Sequence, residues 1–204
     1  MSDPRQEEIL ALARISCCIA LRVDESQLQG EFKAVLQRGM KLPVLREAVL
    51  QTYLFAGYAA AINAFIALNQ ITGENSDFLQ ENAMNAELWQ QRGEELCKKI
   101  YGSQYEKLVH NMNRLHPDLA DWMIQEGYGK VLGRPFLSPV VRELLIVAMT
   151  AVTQTERQFY SHVRGALNVG ADRQLLRLVF DQVKPFIAKD AFHHYQLILD
   201  ALLQ

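Results

Sequence analysis

Cysteine is scarce in this chain: three in 204 residues, with Cys17 and Cys18 adjacent and Cys97 alone. So few thiols make no disulfide framework and fit a reducing compartment, so a cytoplasmic location is expected. An excess of charge of one sign is also missing. Lys and Arg total 21 against 23 Asp and Glu, without a basic tail or stripe, which speaks against nucleic acid as the main partner. The five histidines contain no HExxH and no i, i+4 pair. His193 and His194 are helix neighbours that point to different sides, so no metal site is expected. The glycines form no phosphate-cradling loop, and MSDPRQEE lacks the basic-then-apolar order of a signal peptide. Strand signals, runs of alternating β-branched residues between hairpin turns, are nearly absent.

Helical periodicity is what remains, in a chain that is 50% hydrophobic and 22% charged and long enough for one sizeable core. It predicts an all-α fold with helices near 4–21, 25–38, 43–71, 85–100, 103–114, 117–130, 138–152, 155–169, 171–182 and 190–203. Ser138-Pro139 suits an N-cap followed by proline at the first helical position. Gly39 and Gly170 stand where left-handed caps would end helices, and Gly133-Arg134-Pro135 ends another. The stretch from Ala48 to Gly73 carries no formal charge and is long enough to span a bilayer. Gln51, Asn63, Asn69 and Gln70 interrupt it, so a helix buried in the core or in a subunit interface is expected, not a membrane span.

The chemistry concentrates between Pro139 and Gly170, where two apolar helices flank a short polar turn near Val152–Thr155. Glu143 lies about ten residues before that turn and His162 about eight after it. At about 1.5 Å rise per residue an antiparallel pair brings them to the same depth. A carboxylate level with an imidazole inside an apolar hairpin suits proton transfer. The plainer readings are a salt bridge from Glu143 to an arginine and a satisfied core histidine at 162. Arg142, Arg157 and Arg164 could hold a substrate carboxylate or serve as solvated or ion-paired helix residues. The cysteines suit small apolar packing.

Pro4, Glu8, Ile9, Leu10 and Ala13 match Pro139, Glu143, Leu144, Leu145 and Ala148 at an offset of 135, and Gly39 matches Gly170 at 131. Two divergent repeats are therefore expected, 1–75 and 135–204, around an intervening helical section at 76–134, all within one compact domain. The first copy has no histidine, so an acid–base pair belongs to the second.

Three stretches carry a family resemblance. RELLIVA (142–148) with HVRGALNVGA (162–171) looks like a core. VLREAVLQTYLFAGYAAAINAF (44–65) looks like a tail helix with an aromatic-Gly-aromatic element. GYGKVLGRPFLSP (127–139) looks like the lead-in to the core. Together they cover about two-thirds of the chain and resemble the carboxymuconolactone decarboxylase family, whose fold is shared with alkyl hydroperoxidase D. Thiol-bearing members have a CxxCxxxH pattern; here Thr155 and Gln158 stand in place of the cysteines, while Glu143 and His162 match the acid and the histidine.

The resemblance implies an alkyl hydroperoxidase D-like helical bundle and a cofactor-free decarboxylase or lactone-processing activity on a small carboxylated compound. His162 would be the proton donor and Glu143 its orienting partner, with Tyr53, Tyr58, Asn63, Thr155 and Gln158 as substrate-binding candidates. It also implies a homo-oligomer, a dimer or trimer for a duplicated chain, with the Ala48–Gly73 helix as a candidate interface. Two alternatives stay open: a non-catalytic binding or assembly protein on the same scaffold, and an alkylhydroperoxidase-type antioxidant enzyme.

Overall fold

The computed structural model describes residues 4–73, 79–81 and 85–204, and every regular element among them is helical. In order these are α1 (Pro4–Leu21), α2 (Glu25–Gln37), α3 (Leu42–Gln51), α4 (Tyr53–Ala56) and α5 (Tyr58–Thr72). Then come α6 (Ala86–Tyr101), α7 (Tyr105–Leu115), α8 (Pro117–Trp122) and a π-helical segment, Met123–Leu132. The chain ends with α9 (Pro139–Val152), α10 (Glu156–Asn168), α11 (Arg173–Asp181) and α12 (Lys189–Leu202).

Helix α9 is the axis of the bundle. It is buried from Arg142 to Val152 because it is apolar on nearly every side, and such a helix is stable only when surrounded. Leu144, Leu145, Val147 and Ala148 face a large core shared with α1, α2, α10 and α11. Ile146 and Met149 face a second, smaller cluster with Leu96 and Ile100 of α6 and Ile124 and Leu132 of the π segment. Ser138 caps α9 by accepting from the Val141 amide, with Pro139 at the first position, as the sequence predicts.

Two hairpins close in the same way. Arg22 and Gln154 adopt φ of 53° and 55°, and Val23 N–H reaches Cys18 O just as Thr155 N–H reaches Thr150 O. Helices α10, α11 and α12 each begin 131 residues after α2, α3 and α5 respectively.

Two elements depart from the sequence reading. The helix expected over 43–71 is broken into α3, α4 and α5. Gly57 takes φ 86° and ψ 160°, a conformation that glycine reaches without a Cβ penalty. The break matters because it turns Tyr53, Phe55 and Tyr58 toward one wall. The helix expected over 117–130 is short α8 followed by π winding to Leu132. Here the backbone touches that of α6: a Cβ on Gly129 would lie 1.9 Å from Trp89 O, and one on Gly93 2.0 Å from Ile124 O. Among the described residues no helix is long and apolar enough to cross a membrane.

An ion-pair network fixes the start of α9. Arg142 is 1% exposed, and its Nη2 donates to Glu47 Oε1 of α3 at 2.7 Å while Nη1 donates to Gln51 at 3.1 Å. Glu47 Oε1 also takes Arg134 Nε at 2.8 Å. Arg142 is thus committed to the scaffold, the ion-paired alternative of the two that the sequence left open. Arg164 is exposed and lies over the Tyr160 ring, 5.8 Å from its centroid, outside the lining of the cavity that His162 borders.

Candidate active site

Glu143, one turn into α9, projects toward α10, and its Oε2 lies 2.8 Å from His162 Nδ1. Both residues are buried. Room for the carboxylate comes from Gly165, one turn beyond His162 on the same face of α10. A Cβ there would sit 2.6 Å from Glu143 Oε2 and 2.7 Å from Ile100 Cγ2. Phe55 packs edge-on against the imidazole, with ring centroids 5.5 Å apart at 83°. With Glu143 ionised, Nδ1 carries the proton in this bond, and the tautomer and ring orientation follow. Nε2 has no hydrogen bond to the protein among the described residues, while His162 lines a cavity, so Nε2 is the nitrogen open to a ligand.

That cavity measures about 510 Å³. Helix α10 contributes Arg157, Gln158, Ser161 and His162 to it. Facing them are Tyr53, Leu54 and Phe55 of α4, Tyr58, Tyr101, and side chains of α7, α8 and the π segment. Two hydroxyl clusters punctuate the apolar wall. Tyr101 and Tyr128 share a hydrogen bond of 2.9 Å between their hydroxyls. Tyr53 donates to Glu126 Oε1 at 3.0 Å, and Tyr58 donates to the same atom at 3.5 Å. Burial pushes the phenols of Tyr101 and Tyr128 up, and the nearby Glu143 carboxylate adds to this. Tyr53 is raised by burial and by its bond to Glu126. These hydroxyls therefore keep their protons at neutral pH and serve as donors.

Burial, reinforced by Glu143, pushes the Cys97 thiol up to about 12, and burial pushes Cys18 up to about 11. The consequence for stability has a definite sign. An unfolded thiol titrates near about 8.5, so between that pH and the folded value only the unfolded chain loses its proton. Unfolding free energy is then expected to fall with rising pH, by up to about 1.4 kcal/mol per unit for each such group, and to be flat in this respect below about pH 8. Urea denaturation between pH 7 and 10 reads the effect; a level profile to pH 10 would mean that these thiols are solvated in the fold.

Of the residues expected from the sequence, His162, Tyr53, Tyr58 and Gln158 line this cavity, and Glu143 is bonded to His162 without lining it. Asn63 does not: it is exposed on α5 and lines a different cavity with Cys18 and Ala60. Thr155 does not either. It closes the α9–α10 turn, with its hydroxyl 3.3 Å from Thr150 O and 3.2 Å from Thr153 Oγ1. The sequence reading missed Glu126, Tyr101, Tyr128 and Ser161. Tyr128 lies inside the quoted GYG element, so a signal existed; Tyr101, at the end of a charged helix, gave none. Among the described residues no cluster of His, Cys, Asp or Glu is arranged to hold a metal ion.

The sequence model of the Carboxymuconolactone decarboxylase family matches residues 117–197, which contain α8, the π segment, Glu143 and His162. The match covers 81 of the 204 residues. The all-helical architecture is consistent with the helical bundle of that family. Peroxisomal protein 2 of Schizosaccharomyces pombe is 29% identical over 136 residues, covering 65% of this chain and 63% of that protein. Peroxisomal protein 2 of Saccharomyces cerevisiae is 26% identical over 161 residues, 66% of this chain and 57% of that protein. The chain thus spans less than two thirds of the length of these relatives. The family segment supplies the Glu–His pair and the α10 wall, whereas Tyr53, Tyr58 and Tyr101 come from outside it.

Proposed function

We propose that the chain is a cofactor-free acid–base enzyme that decarboxylates, or otherwise processes, a small carboxylated lactone-type compound. One observation carries the reading: a buried imidazole held through Nδ1 by a carboxylate at 2.8 Å, with Nε2 free toward a cavity of about 510 Å³. In the decarboxylation, the C–C bond to the carboxylate breaks and CO2 leaves. The electron pair passes into the conjugated carbonyl as a dienolate. Protonated His162 then delivers its Nε2 proton to carbon, and solvent restores it. Glu143 positions the ring and stabilises its cationic form; neutral tyrosine hydroxyls such as Tyr101 offer donors to the enolate oxygen. Arg157, which lines the cavity and has no ion pair among the described residues, suits the substrate's acid group.

The test is CO2 release from a panel of lactone acids by the native chain and by His162→Ala. Loss of a general acid is expected to cost about 10²–10⁴-fold in kcat. Turnover unchanged in H162A removes the mechanism.

The open cavity favours this reading over a scaffold that has lost its chemistry. Thiol peroxidase chemistry has little support. Thr155 and Gln158 replace the redox cysteines, and the three thiols present are all buried, with burial holding them in the protonated, unreactive form. The recurring 131-residue spacing of helix starts supports the two-repeat reading, in which the second copy keeps the Glu–His pair while the first lends Tyr53 and Tyr58. Superposing α2, α3 and α5 on α10, α11 and α12 tests it; divergent packing of the two sets removes it. Exposed Tyr58, Ile62 and Ile66 on one stripe of α5 support a homo-oligomer, a dimer or trimer, which light scattering reads directly. A monomeric mass at micromolar concentration would remove it. On location, the composition favours the cytoplasm and the relatives' names the peroxisome; cell fractionation decides.

A further inference from the structure

The cavity lining sets polar side chains of α10 beside apolar ones of α7 and α8, more apolar surface than a compact polar substrate needs. Arg157, Gln158, Ser161 and His162 all come from the first two turns of α10 and form one polar end. The residues that α7 and α8 contribute are apolar, Leu108, Met112, Leu119 and Trp122, and Met123 of the π segment joins them. The polar group nearest to these in sequence, Glu126, is already engaged by the hydroxyls of Tyr53 and Tyr58. At about 510 Å³ the space falls in the range of drug-sized ligands, about 300–1,000 Å³, which is more than a single small ring requires.

The mouth continues the same character. Trp122 is 61% exposed and Leu119 46%, although both line the cavity. Large apolar side chains grouped at a cavity rim mark a surface that an apolar ligand covers. Charge narrows the head group. Arg157 is the single Arg or Lys of the lining, and Glu126 is its one acidic residue. One acid group is matched; a second would be left facing a carboxylate.

We propose that this cavity takes an amphipathic monocarboxylate, its acid group against Arg157 at the α10 end and an aliphatic or aromatic body along the α7–α8 wall. The inference names a substrate class for the acid–base site and rests on that reading for which end of the ligand reacts.

Binding tests it without turnover. In a Trp89→Phe chain, Trp122 becomes the only indole. Its emission is titrated with n-alkanoates of increasing length, with matched 1-alkanols, and with a compact cyclic lactone diacid, at fixed ionic strength. Affinity is expected to rise about fourfold for each methylene, as for buried CH2 groups, until the cavity is full. Arg157→Gln is expected to weaken the alkanoates about tenfold and leave the alkanols unchanged, whereas Leu119→Asp, at an exposed position that folding tolerates, flattens the dependence on length. If the compact diacid binds at least as tightly as every alkanoate, this inference fails while the acid–base reading stands. Alkanoate binding untouched by both substitutions also overturns it, as non-specific adsorption. Saturable binding of no acid, long or compact, overturns the inference and the acid–base reading together.

Discussion

Glu47→Ala is expected to destabilise the chain by about 3–5 kcal/mol, the range for removing one partner of a buried ion pair. Glu47 Oε1 takes both Arg142 Nη2 at 2.7 Å and Arg134 Nε at 2.8 Å; without it Arg134 keeps Glu81 at 3.7 Å and Leu79 O at 2.8 Å, whereas Arg142 keeps no carboxylate partner among the described residues. Arg142 is the critical one. Burial lowers its pKa and the Glu47 carboxylate opposes that shift, so the pair persists only while the carboxylate is present. Its remaining bonds, to Gln51 Oε1 and to Arg134 O at 3.1 Å, are to neutral groups, and its Nε has no partner among the described residues. Arg142→Met is expected to cost less, because it removes the buried charge itself and leaves Glu47 paired with Arg134. Urea midpoints for the two variants give the comparison. A Glu47→Ala loss below about 1 kcal/mol, the scale of surface pairs, would mean that water reaches the network.

That network was largely hidden in the sequence. Arg142 and Glu143 are adjacent, and on a helix they diverge by about 100°, so one reading could not fit both. The sequence suggested opposing roles for Arg142, ion pairing or substrate binding, and the choice depended on Glu47 lying within reach, 95 residues away in the chain. The Glu143–His162 contact was legible for a different reason. It is local, spanning one short-looped hairpin, so helix rise alone sets the two side chains level. Most helix positions were legible likewise, because caps and apolar periodicity act within a few residues of their cause. The break at Gly57 was not. A glycine inside an apolar run is tolerated in many helices, and only the packing of Tyr53 on Tyr58, with centroids 4.7 Å apart, reveals the turn it makes here. The π segment was hidden too, since its contact with α6 through Gly93 and Gly129 links stretches whose sequences carry no pairing signal.

The second large effect is expected at Gly165, where one methyl group separates packing from chemistry. Gly165→Ala places a Cβ 2.6 Å from Glu143 Oε2 and 2.7 Å from Ile100 Cγ2, well inside contact distance. The backbone of α10 is held between α9 and α6, so the more movable neighbour is the Glu143 side chain, whose only hydrogen bond among the described residues is to His162. Overpacking of this kind costs about 1–3 kcal/mol. The functional loss is expected to exceed what that predicts, because the displaced atom is the one that orients the imidazole. Two measurements separate the outcomes. The Nδ1 proton of His162, sheltered in a buried bond, should give a resolved NMR resonance in the native chain and lose it in Gly165→Ala, with the fold intact by circular dichroism. Gly170→Ala controls for helix and turn effects: a Cβ there meets nothing within 4 Å, its strain comes from φ 95°, and it should lower stability while leaving that resonance in place. If Gly165→Ala keeps the resonance, then Ile100 yields instead, and Glu143 is held by more than the space that glycine leaves.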